Sequence, residues 1–217
     1  MNFVLLGIQG CGKGTQGRTL VEKYHFRFLE MGARLRELAK REDAYGSFVR
    51  ENLKQGNLLP NQDIIRIIEE FVLTKPEQPF VLDGAPRMLP QKLLFDQLMR
   101  RVDQDFKVLF LNLDPAKALD RINQRRICKK CKATYAPDYT LNTCQKKWGN
   151  VICGGELTQR VDDINIKAIQ NRIHNFQTLT LPVIELYQQE NKLLEINADQ
   201  SMEAVTQEIE KKIKIYL

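Results

Sequence analysis

Apolar runs of four to seven residues alternate with longer amphipathic stretches along most of this chain. Residues 3–6 (FVLL), 80–82 (FVL) and 107–113 (KVLFLNL) are nearly continuous in apolar residues. Such runs predict strands of a parallel sheet buried on both faces. Residues 26–29 and 193–197 predict two shorter strands. Between them, helical periodicity predicts helices over 15–24, 32–40, 45–54, 64–73, 90–102, 115–126, 162–189 and 201–216, the seventh bent near Pro182. Ile64, Ile65, Ile67, Ile68, Phe71 and Val72 make one helix's apolar face. Gly56 reads as a C-terminal stop, and Asp114-Pro115 as a cap followed by a first-turn proline. Strands alternating with helices predict an α/β fold of three layers around five parallel strands.

Two stretches interrupt the alternation. Residues 30–59 hold two short helices with no strand between them. Residues 124–163 have little periodicity and carry four of the five cysteines, Cys128, Cys131, Cys144 and Cys153. The chain therefore reads as a core (1–29, 60–123 and 164–217) with two inserts.

At 217 residues the chain can bury a substantial core, and its 43% hydrophobic and 28% charged content are ordinary for a globular protein. No stretch approaches the ~20 apolar residues of a membrane helix, and the N-terminus lacks a signal-peptide pattern. A cytoplasmic protein with no membrane partner is expected. The net charge of +6 contains no run of five or six like charges, which points away from nucleic acid. It suits a site for polyanionic small molecules. Five cysteines in such a protein suggest a metal rather than a disulfide framework.

The candidate chemistry starts at Gly7-Ile8-Gln9-Gly10-Cys11-Gly12-Lys13-Gly14-Thr15, between the first strand and the first helix. Strand, glycine-rich turn, lysine and helix form the layout of a phosphate-binding loop. Turned N–H groups and the helix N-terminus direct positive charge at an anion, and Lys13 can reach the outer phosphates. The fold expected is thus that of the P-loop nucleoside triphosphate hydrolases. Gly14 stands where the strict motif has a hydroxyl, and Thr15 follows one place later. Downstream, Asp83 ends an apolar strand, the usual position for a carboxylate serving the loop's Mg²⁺. Arginines recur beside turns and helix ends at 36, 87, 121, 125, 126, 160 and 172, as phosphoryl transfer requires.

The loop's ending, Gly-Lys-Gly-Thr, resembles that of the adenylate kinase (nucleoside monophosphate kinase) family. Asp83-Gly84-Ala85-Pro86-Arg87 is similar to that family's Asp-Gly-Phe-Pro-Arg, and Gly56-Asn57-Leu58-Leu59-Pro60 to its Gly-Lys-Leu-Val-Pro. Leu119–Arg126 and Gly154–Asp163 resemble its arginine helix and the close of its lid. The matches span nearly the whole chain. The resemblance implies reversible, Mg²⁺-dependent transfer from ATP to AMP, giving two ADP, by a monomer. It implies that Gly10, Cys11, Gly12, Lys13, Gly14 and Thr15 hold ATP phosphates, with Thr134, Tyr135 and Gln200 near the ATP base and ribose. Met31, Arg36, Asn57, Leu58, Leu59, Gly84, Ala85, Pro86, Arg87 and Gln91 would bind AMP. Lys13, Arg87, Arg121, Arg160 and Arg172 would serve the transferring phosphate, Arg121 and Arg125 also binding ATP and Arg160 and Arg172 AMP, and Asp83 would hold Mg²⁺ through water. The insert 30–59 would receive the acceptor and 124–163 would be the lid.

The departures lie mainly in the acceptor insert. Met31-Gly32-Ala33 stands where the family reads Thr-Gly-Asp, and Asn57 where it has lysine. One extra residue separates Asp163 from Arg172. A kinase for UMP, CMP or a deoxynucleotide would share every motif outside this insert, and a degraded nucleotide-binding protein is a second alternative. Cys128-x-x-Cys131 is half of a structural zinc pattern. Cys153 stands where the other half belongs, Asn150 occupies its partner's place, and Cys144 is the candidate fourth thiolate.

Overall fold

The computed structural model describes residues 1–131, 133–135, 139–149, 151–160 and 163–217. Strand β1 (Asn2–Leu6) leads through the glycine loop into helix α1 (Lys13–Tyr24). Then come β2 (Arg27–Glu30), α2 (Met31–Leu38), α3 (Ala44–Gln55), α4 (Asn61–Thr74), β3 (Phe80–Asp83), α5 (Leu89–Arg101), β4 (Phe106–Asn112) and α6 (Pro115–Gln124). Short strands β5 (Arg126–Cys128), β6 (Thr134–Tyr135), β7 (Lys147–Trp148), β8 (Val151–Ile152) and β9 (Leu157–Gln159) build the cysteine-bearing segment. Helices α7 (Ile166–Asn175) and α8 (Leu181–Gln189), strand β10 (Leu193–Asn197) and α9 (Met202–Ile213) complete the chain.

Five parallel strands form one sheet in the order β10-β4-β1-β3-β2. The apolar runs serve both faces. Val4, Leu6, Leu82, Val108 and Phe110 pack with α4, α5 and α8; Phe3, Leu5, Val81, Leu109 and Leu111 pack with α1, α6 and α9. This is the fold of P-loop nucleoside triphosphate hydrolases anticipated above. The order reverses beside β1, so the carboxyl ends of β1, β3 and β4 open on a crevice that takes ligands in such sheets.

Several boundaries shift for local reasons. The long helix begins at Ile166 rather than at 162, because the Asn165 side chain accepts from Ala168 N and caps it there. It is also not one continuous α-helix: a π-helical segment, Phe176–Thr180, lies between α7 and α8, with Pro182 in the first turn of α8. The helix after β4 stops at Gln124, since Arg125 is extended and Arg126 enters β5.

Candidate functional site

A cleft of about 960 Å³ lies across the carboxyl edge of the sheet. The ATP- and acceptor-side residues named from the sequence all border it except Ala85 and Pro86, which are buried just behind its wall. The loop is built as its glycines suggest. Gly10 has φ of 93°, and a Cβ there would lie 2.8 Å from the Ala118 carbonyl oxygen of α6. Only glycine fits that backbone and that approach. No side chain caps α1, and its first residues, Lys13, Gly14 and Thr15, line the cleft. Lys13 Nζ donates to the carbonyls of Gly7 (2.6 Å) and Ile8 (2.9 Å) and lies 3.4 Å from Cys11 Sγ. Its ammonium is held over the mouth of the loop.

Asp83, at the end of β3, is buried. Burial holds its carboxyl above the usual carboxylate range; Lys13 opposes this and Glu30 adds to it. A Cβ built on Gly14 would lie 3.6 Å from Asp83 Oδ2, so the carboxylate faces the first turn of α1. Arg87 Nε donates to the Gly84 carbonyl at 2.6 Å, and Gln91 Oε1 accepts from Arg87 N at 2.8 Å. The Gln91 carbonyl oxygen therefore shapes the Arg87 turn. Burial pushes the Arg87 guanidinium below its ordinary value, with Asp83 opposing. Arg121 reaches from α6 to the Ala198 carbonyl (3.0 Å), beside Gln200. Gln200 itself bonds the Asn197 carbonyl and Glu208.

Two arms flank this floor. The first is the α2–α3 insert. The carbonyls of Leu53, Lys54 and Gln55, which end α3, and of its cap Gly56 accept from Arg172, Asn165, Asn171 and Asn175 respectively, at 2.8 to 3.4 Å. A helix end leaves four carbonyls without intrahelical partners. Side chains of α7 and its cap reach the carbonyls of residues 53–56, that of Leu53 also accepting from Gly56 N, so Arg172 joins the insert to the core as it borders the cleft. Met31, at the start of α2, is 2% exposed and packs into the main core.

The second arm is the 124–163 segment. Arg125 holds Asp163 through both carboxylate oxygens at 2.7 to 2.9 Å, with Arg160 Nε at 3.8 Å. Gln9 of the phosphate loop donates to the same carboxylate at 2.9 Å. Burial, then the like charge of Arg160, pushes Arg125 below its ordinary value, and Asp163 opposes both. Val161 and Asp162 of the lid motif lie outside the described residues, as does Asn150. Thr134 and Tyr135 border the cleft, but the Tyr135 hydroxyl points away, donating to Cys144 Sγ at 2.9 Å and accepting from Gln145 N.

That thiol belongs to a cluster. The sulfurs of Cys128, Cys131, Cys144 and Cys153 all lie within 4.8 Å of one another, with Cys131 to Cys144 at 3.4 Å and Cys128 to Cys153 at 3.7 Å. Tetrahedral Zn–S bonds of ~2.3 Å imply S···S edges of about 3.8 Å. A Cβ on Gly155 would stand 2.5 Å from Cys128 Sγ, so the chain closes tightly over the group.

Sequence reasoning passed over Gln9, Arg18, Glu30, Asn165 and Asn171. Only Glu30 carried a usable signal: like Asp83, it ends an apolar strand.

The adenylate kinase family model matches residues 5–192. An adenylate kinase of Alkaliphilus oremlandii is 34% identical over 213 residues, covering 94% of each chain. One of Methanocella arvoryzae is 32% identical over 221 residues (99% of each), and one of Hydrogenobaculum sp. 33% over 213 (96% of this chain, 98% of the relative). With phosphate loop, Asp83 and seven arginines on one cleft, and this similarity running nearly end to end, the chain belongs to the adenylate kinase family of phosphotransferases.

Proposed function

We propose that the cleft binds ATP along the loop Gly10–Thr15 and AMP over the α2–α3 insert, and transfers the terminal phosphoryl group between them. The reaction is the family's: ATP and AMP to two ADP, reversible and Mg²⁺-dependent. The observation that carries the residue roles is the convergence of Lys13, Asp83, Arg36, Arg87, Arg121, Arg125, Arg160 and Arg172 on one cleft. Transfer through a loose transition state asks for alignment and positive charge rather than a nucleophile. The acceptor phosphate is already an anion, so no general base is needed.

Lys13 neutralises charge on the transferring group. Arg36 and Arg87 hold the acceptor phosphate, and Arg121, Arg125, Arg160 and Arg172 close around both nucleotides. Asp83 suits Mg²⁺, since it is a hard oxygen donor facing the loop. Asp83 would hold the ion, which when bound would supply positive charge at the phosphates and favour the ionised carboxylate that burial alone opposes. The segment 124–163 acts as a lid that excludes water, so phosphate passes to the acceptor rather than to hydrolysis. The four-cysteine cluster holds a structural Zn²⁺, with Cys144 supplying the fourth thiolate.

A panel of nucleoside monophosphates with MgATP, and Lys13→Ala as control, tests the reading. AMP is expected to be the best acceptor, with Lys13→Ala slower by about a hundredfold or more. A different best acceptor would transfer specificity to Met31 and its neighbours. No transfer to any acceptor with ATP still bound would replace the enzyme by a binding protein.

A further inference from the structure

Glu30 stands at a conspicuous junction. It is the last residue of β2 and pairs in register with Asp83, the last of β3. Neighbouring parallel strands lie ~4.8 Å apart, and residues in register share a face. Two carboxylates are thus set side by side at the cleft. Glu30 is also the N-cap residue of α2, where a side chain ordinarily accepts from the helix's free N–H groups. It makes no such bond. Its carboxylate turns instead to two guanidiniums: Arg18 Nη1 at 2.8 Å on Oε2, and Arg36 Nη2 at 3.2 Å on Oε1. Gly32 leaves room for this, since a Cβ there would come within 3.1 Å of Arg36 Nη1. All three side chains border the cleft, with 22 to 34% of each exposed.

Each feature is locally unfavourable: a cap forgone and like charges adjacent. Such breaches of local rules gather at functional sites. The two partners come from the two halves of the reaction. Arg18 lies on α1, one turn beyond the loop that holds the donor; Arg36 lies on α2, which receives the acceptor. We propose that Glu30 is a positioning residue for the acceptor, its carboxylate bridging Arg18 and Arg36 so that the Arg36 guanidinium is held in register with the phosphate loop. This rests on the reading of the α2–α3 insert as the acceptor site. Held at one edge by Glu30, the planar guanidinium keeps a fixed orientation beside the acceptor phosphate. Without that restraint the side chain spreads over rotamers, and the acceptor must order it on binding.

The test separates KM from kcat in the full chain with Mg²⁺, ATP and AMP. Glu30→Gln keeps the shape and removes the charge. It is expected to raise the KM for AMP about tenfold while the KM for ATP stays within about twofold. Glu30→Asp, shorter by one methylene, is expected to fall between, and it carries the same test if Glu30→Gln does not fold. On an Arg36→Lys background, Glu30→Gln is expected to change the KM for AMP by less than about twofold. An unchanged KM for AMP, a KM for ATP rising in step, or a full effect on the Arg36→Lys background would each overturn the role of Glu30. Wild-type protein that phosphorylates no monophosphate would overturn the acceptor reading beneath it, a distinguishable failure.

Discussion

Gly56→Ala tests how the α2–α3 insert is tied to the core. Gly56 follows α3 with φ of 73°, and a Cβ there would stand 2.4 Å from the Ala168 carbonyl oxygen of α7. The left-handed backbone costs alanine about 1–2 kcal/mol. The contact adds more, because real Cβ atoms essentially never come within 3.0 Å and the opposing atom is backbone. Moving α3 away by that margin stretches the four bonds that α7 and its cap make to the carbonyls of residues 53–56. Losing two of them costs about 2 kcal/mol at ~1 kcal/mol each. The sum is about 3–4 kcal/mol, or a fall in Tm of roughly 10 °C for a chain of this size. Urea unfolding and thermal melting measure it. Gly56→Asn, which tolerates the left-handed region but still brings a Cβ, should recover about 1 kcal/mol and no more. On the proposed roles, the KM for AMP should rise while that for ATP holds, because only the α2–α3 insert is displaced. A loss below about 1 kcal/mol for Gly56→Ala would refute the argument, since the joint would then be free to yield.

Asp83→Asn should stabilise the protein while removing Mg²⁺-dependent transfer. The folded-state carboxyl lies above its ordinary 3.8, so the native state holds the proton more tightly and wild-type stability falls as pH rises through the folded value. The advantage of the variant, which cannot ionise, should therefore be absent at low pH and grow toward neutrality; wild type equal or superior at neutral pH would contradict this. Metal analysis of the purified protein should find about one zinc per chain, lost in Cys144→Ser with a lower melting temperature and kept in Cys11→Ser. A metal-free protein melting as Cys144→Ser does would dismiss the site.

Hydrophobic periodicity and glycine punctuation carried most of the fold. Short continuous apolar runs bounded by turns suit strands covered on both faces, and these three with the two shorter predicted strands form one parallel sheet. The phosphate loop was equally legible, because its chemistry is backbone chemistry and its spacing is local. The strand ending in Asp83 was legible for the same reason.

The rest depends on neighbours that sequence does not order. The fourth sulfur of the cysteine cluster is Cys144, brought within reach although it sits outside any paired spacing. The Tyr135 ring borders the cleft while its hydroxyl serves that cluster, a division of one side chain that no motif announces. The four asparagine and arginine caps on α3 come from residues more than 100 positions away. Gln9 and Asp163 meet across 154 positions. By itself the sequence determined the sheet, the phosphate loop and the family, since each rests on periodicity or on contiguous backbone geometry. Only the tertiary structure decided which charges pair, because a side chain's partner is set by where the fold places the next charge, and Glu30 between Arg18 and Arg36 is the instance that matters most here.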